Sequence, residues 1–236
     1  MNAPRMGHRP LLLSVAIGLP GISAMGGAWV GAGWIWDAAN AIGFSAAALM
    51  IFLHFETGSG RGRPALQAAF HSRLHTNVAT LALALVFAHV GVLLADDSVT
   101  LEYWKLSAPP YMLAGIVALL LMSAIVASSY AKPRRLLFAS PARFRSIHGF
   151  AALLLTGLVA WHVAGSALYF DTRFKQTFFV LAFVGLPLWL SRRPVPQRPL
   201  IDAPRREPVG ARREVLYIAG MGLTLALAFS ALRNLI

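Results

Sequence analysis

Apolar residues gather in seven long blocks, separated by short stretches in which Arg, Pro, Gly and acidic residues collect. The blocks cover residues 11–29, 38–54, 75–95, 111–130, 147–170, 174–190 and 215–232. Each is close to the roughly 20 mostly apolar residues that a helix needs to cross a bilayer, so the pattern predicts membrane-spanning helices rather than buried helices of a soluble core. The first block has a second reading. Arg5 and Arg9 precede it and small residues (Ser23, Ala24, Gly26, Gly27, Ala28) follow it, which is also the form of a cleavable signal peptide. Cleavage would leave six spans, and retention would make residues 1–37 a signal anchor with an outer loop.

Composition strengthens this picture. Of the 236 residues, 57% are hydrophobic and 13% charged, and the mean hydropathy is +0.63. A soluble domain carries about 25% charged residues, so the composition excludes disorder and argues against a soluble globular fold. The predicted fold class is all-α, a polytopic transmembrane bundle of about seven spans. The chain has no cysteine, which removes disulfides, iron–sulfur clusters, thiolate zinc sites and covalently attached haem.

The net charge is +12. In a soluble protein that would suggest nucleic acid. Here the cations lie in the connections, and no nucleic-acid partner is expected. Arg5 and Arg9 precede the first block. Arg61, Arg63 and Arg73 follow the second. Lys132, Arg134, Arg135, Arg143 and Arg145 follow the fourth. Arg192, Arg193, Arg198, Arg205, Arg206, Arg212 and Arg213 follow the sixth. The other side has only Lys105, Arg173, Lys175 and Arg233. The positive-inside rule then places the N-terminus in the cytoplasm and the C-terminus outside if all seven spans are retained. Residues 191–213 read as a Pro/Arg-rich cytoplasmic linker beside the membrane, and 214–236 as a final span. The glycine-rich stretch 58–62 follows no strand, so it reads as a loop rather than a phosphate cradle. No internal repeat is evident.

The chemistry rests on histidine. An ionisable residue within a span is costly and is a functional candidate by default. His89 and His162 lie well inside predicted spans, and His75 and His148 lie at the starts of theirs. Both pairs are 14 residues apart. On a helix that is about 40° short of four turns, so the two histidines of each pair share a face, with an axial separation of about 21 Å. One span intervenes between the two helices, so they run parallel. His75 then shares a depth with His148, and His89 with His162. Two such pairs could each hold a planar macrocycle, since haem iron takes two axial ligands and imidazole is a common one. The rival is a haem-free transporter using these histidines, against which stands the lack of a broken-helix pair around them. His71 competes with His75, being one turn earlier on the same face. His54 beside Glu56 reads as interfacial, and His8 as a tail residue.

Residues 71–95, HSRLHTNVATLALALVFAHVGVLLA, and 144–169, FRSIHGFAALLLTGLVAWHVAGSALY, resemble the paired histidine helices of the ferric-reductase-like transmembrane domain. That superfamily includes ferric reductases, NADPH oxidases and the haem-binding membrane subunit of the bacterial methionine-sulfoxide reductase system. The resemblance covers roughly residues 38–190, including the basic loop AKPRRLLFASPARFRS. It implies a six-helix core that binds haem b, with His75, His89, His148 and His162 as axial ligands. All four histidines together point to the two-haem branch. Haem propionates need cations. Arg73, Arg143 and Arg145 lie near the inner pair, and Lys105, Arg173 and Lys175 near the outer. Of these, Arg73 and Arg145 are taken as cofactor-binding candidates. Trp161, next to His162, is a candidate to pack on a macrocycle, while Trp29, Trp34, Trp36 and Trp104 suit interfacial belts.

No Rossmann fingerprint is present. Electrons are therefore expected from a cytoplasmic flavoprotein or from quinol, with flavin entering only through a partner. The expected function is transmembrane electron transfer by the membrane cytochrome component of an oxidoreductase, toward ferric iron or another outer acceptor. The alternative is a haem-bearing subunit that anchors a periplasmic oxidoreductase. Membrane lipid is the other expected partner. The Ala- and Arg-rich composition suits a bacterial inner membrane.

Overall fold

The computed structural model describes residues 33–55, 65–96 and 98–191, together with Ala228. Apart from Ala228, the expected spans at 11–29 and 215–232 lie outside the described residues. So do His8, the glycine-rich loop and the linker beyond Ser191.

The described residues form helices and no strand. Helix α1 is Trp34–Phe55, α2 is Ala65–Asp96, and a 3-10 segment follows at Ser98–Trp104. Helix α3 is Pro110–Ser129, α4 is Ala131–Leu137 and α5 is Pro141–Ser166. Helix α6, Arg173–Val180, passes through a π turn at Leu181–Gly185 into α7, Leu186–Ser191. Among the described residues, four stretches are long and apolar enough to cross a membrane: Trp34–His54, Phe70–Asp96, Pro110–Ser129 and Pro141–Ser166.

Two expected boundaries shift for local reasons. Helix α2 begins ten residues before His75, because 65–74 is rich in helix-forming Ala and Leu while Gln67, His71, Ser72 and Arg73 interrupt its apolar run. The block 174–190 is helical but not regular. Pro187 has no N–H to close the turn before it, and the wider π turn carries the helix past the ring. Caps set other ends. Ser140 accepts from the Arg143 N–H ahead of Pro141 at the first helical position of α5, and Thr172 accepts from the Lys175 N–H to start α6. At the far end of α5, Ala167 turns into the left-handed region at φ 53°, redirecting the chain toward α1.

Helix α1 is the buried centre. Its alanines at 39, 46, 47 and 48 are sealed from solvent, and small residues let helices approach closely. Helix α2 packs along α1, and α5 along α3, making two helical hairpins; α2 and α5 have little close backbone approach to each other. An aromatic cluster locks the chain after α5 onto α1. Phe44 meets Tyr169 and Phe170 at 5.5 and 5.9 Å between ring centres, Phe170 meets Phe179 at 4.8 Å, and Phe179 stacks on Phe183 at 5.0 Å.

Candidate haem-binding site

Two tiers of histidine lie between α2 and α5. At the basic end, the His75 and His148 rings stand 6.1 Å apart, centre to centre, tilted by 54°. At the opposite end, His89 and His162 come within electrostatic reach of each other. The contact at one end and the approach at the other mean that α2 and α5 run parallel, as the spacing predicts.

The far tier is held by backbone. His89 Nδ1 lies 2.8 Å from the Ala39 carbonyl on α1, and His162 Nδ1 lies 3.0 Å from the Tyr111 carbonyl on α3. A carbonyl only accepts, so Nδ1 carries the hydrogen in both rings. In a neutral imidazole this leaves Nε2 with the lone pair. Each ring also rests on a glycine. A Cβ at Gly43 would fall 2.9 Å from His89 Nδ1, and one at Gly115 would fall 2.7 Å from His162 Nδ1.

The basic tier is built differently. The His148 Nδ1 is buried without a hydrogen-bond partner among the described residues. Its ring packs 5.1 Å from Phe144, which meets Phe138 at 5.1 Å and lies under the Arg134 guanidinium at 5.5 Å. His54, at the end of α1, lies within electrostatic reach of both His75 and His148. His71 is turned into the protein, 5% exposed, edge-on to Phe70 at 5.7 Å.

The family description "ferric reductase like transmembrane component" matches residues 42–159. The chain belongs to that family. No curated protein and no solved structure matches it. The matched span of this ferric-reductase-like chain includes Gly43, His75, His89, Gly115 and His148 and stops three residues before His162.

Ferric-reductase-like domains generally bind haem, and the residues here fit that group. Two imidazoles sharing one metal through single nitrogens stand about 6 Å apart between centres, from about 2 Å per bond plus the two ring radii. The 6.1 Å at the basic tier meets that spacing. Metal-ligating histidines usually donate their other ring N–H to a carbonyl or carboxylate, and both far-tier histidines do so. Among the described residues no three His, Asp or Glu side chains converge as a metal-ion cage, so the chemistry present is that of pairs.

The candidate cations divide. Arg145 lies three residues before His148 and so shares its face, whereas Arg73, two residues before His75, lies about 200° round the helix from it. Both are exposed. At the far end, Lys105 pairs with Glu102, and Lys175 with Asp171 at 2.8 Å. Trp161 is more than half exposed, as is Trp34. The pattern of apolar blocks did not bring out the Ala39 and Tyr111 carbonyls, the two glycines, or a buried bond of 2.7 Å from Tyr169 Oη to Asp37 Oδ1. One signal was available. Gly43 precedes His89 by 46 residues and Gly115 precedes His162 by 47, so the two hairpins repeat a glycine–histidine offset.

Proposed function

We propose that this chain is a two-haem b-type membrane cytochrome that moves electrons one at a time across a bacterial inner membrane. Electrons would enter from a cytoplasmic flavoprotein or quinol and leave to an outer acceptor such as ferric iron. The observation that carries this is the two-tier arrangement of histidines on parallel helices in a ferric-reductase-like chain. His75 and His148 would hold the inner haem, and His89 and His162 the outer. Bound haem supplies one-electron exchange between ferric and ferrous iron.

The chain's own residues supply position and environment. The Ala39 and Tyr111 carbonyls hold two imidazoles in one tautomer, which raises ligand basicity. Leu155 and Val159 on α5 and Val78 and Ala82 on α2 are buried apolar residues between the tiers, and they keep water from the path. Arg145, on the His148 face at the basic mouth, would pair with haem carboxylates, with Arg73 nearby on α2. A reduced-minus-oxidised absorption spectrum with haem quantified per chain tests the proposal. Two low-spin b haems are expected. A haem-free protein, made with adequate haem supply, would overturn it in favour of a transporter.

A further inference from the structure

The two glycines that touch the far-tier histidines lie in helix interiors, where Gly is a poorer helix former than Ala. Both make the same arrangement. Gly43 follows the acceptor Ala39 by four residues on α1, and Gly115 follows the acceptor Tyr111 by four on α3. Residues four apart are neighbours on one helix face. In a helix the N–H of residue i+4 already bonds the carbonyl of residue i, so a second donor must come in from the side, past the Cβ of residue i+4. At these two positions there is no Cβ to pass. Any Cβ there would lie under 3.0 Å from the imidazole nitrogen. Gly91, Gly149 and Gly157 have nothing within 4 Å, and Gly165 is close to the Tyr111 side chain, at 2.5 Å, rather than to an imidazole. At the basic tier the His148 Nδ1 has no partner among the described residues, so His148 does not share the arrangement.

We infer that Gly43 and Gly115 are positioning residues. Each opens the side of a helical carbonyl so that His89 or His162 docks with Nδ1–H inward and Nε2 presented to the outer haem. This rests on the two-haem reading above, and the test separates the two. Haem per chain, the low-temperature EPR signals of the oxidised haems and their midpoint potentials are measured in purified wild type, Gly43→Ala, Gly115→Ala and, as controls, Gly91→Ala and Gly157→Ala.

Second-sphere losses typically weaken metal binding about 10–100-fold. The alanine variants at 43 and 115 are therefore expected to lose the outer haem, or to retain it with a shifted EPR signal and potential. The inner haem should stay as in wild type, and the controls should keep both haems unchanged. Wild type without haem would sink the two-haem reading itself. Wild type with two haems and unchanged signals in both alanine variants would overturn the glycine inference alone. So would failure of both variants to accumulate in the membrane while the controls accumulate, since that is the mark of a helix-packing role.

Discussion

The two histidine tiers use the same residue type in opposite ways. The far tier is fixed by backbone. Two rings donate to two carbonyls and lie on two glycines, and a buried Asp37–Tyr169 bond ties the helix start beside them to the loop after α5. At the basic tier the His148 ring is held by side-chain packing. His148 is packed by Phe144 and lies within reach of His54 and His75, and its Nδ1 has no described partner. Backbone acceptors hold a ring's orientation and tautomer together, whereas aromatic packing holds its plane and leaves the tautomer open. The far tier is thus preorganised by the fold, whereas the tautomer of His148 is left open.

The largest test of that contrast is ligand removal. His89→Ala or His162→Ala should reduce haem from two per chain to one and spare the inner spectrum. His75→Ala or His148→Ala should do the converse, and His71→Ala should leave both. Loss of both haems from any single substitution would mean that the tiers are not independent. Next in size is Tyr169→Phe, which leaves the buried Asp37 carboxylate without one of its donors. A cost of about 1–3 kcal/mol is expected, read as a lower unfolding temperature in detergent and accompanied by loosening of the outer haem only. At the basic tier, Arg134→Ala removes a cation over the Phe144 ring and should cost about 0.5–1 kcal/mol, with any spectral change confined to the inner haem. Smallest is Lys175→Gln. Its pair with Asp171 spans one helical turn near the surface, so a stability change within about 0.5 kcal/mol is expected.

The same contrast explains what could be learned before the fold was known. Spans at 38–54, 111–130 and 147–170 stand out because desolvation demands unbroken apolar length, and they return as α1, α3 and α5 with ends moved by a few residues. The histidine register was legible because helical geometry converts spacing directly into direction. The early start of α2 was hidden because helix propensity in 65–74 is not apolar. The π turn was hidden because Pro187 by itself does not say how a helix will accommodate it. The carbonyl–glycine cradles were least visible. One partner in each is a backbone atom that carries no sequence identity, and the other is the absence of a side chain.

Helix α2 has a mechanical consequence. Its 32 residues form a rod about 48 Å long, against a hydrocarbon core of about 30 Å. As haem ligands, His75 and His89 would be two fastening points on that rod, about 21 Å apart. Pinned at both, the rod cannot rock against α5. Released at one, it pivots about the other. A tilt of about 10° about His89 would swing the Ala65 tip, about 36 Å away, by roughly 6 Å, with no loop between tip and pivot to absorb the movement. In the two-haem reading, filling the second tier would therefore set the posture of the whole helix, including the overhanging turns at its basic end.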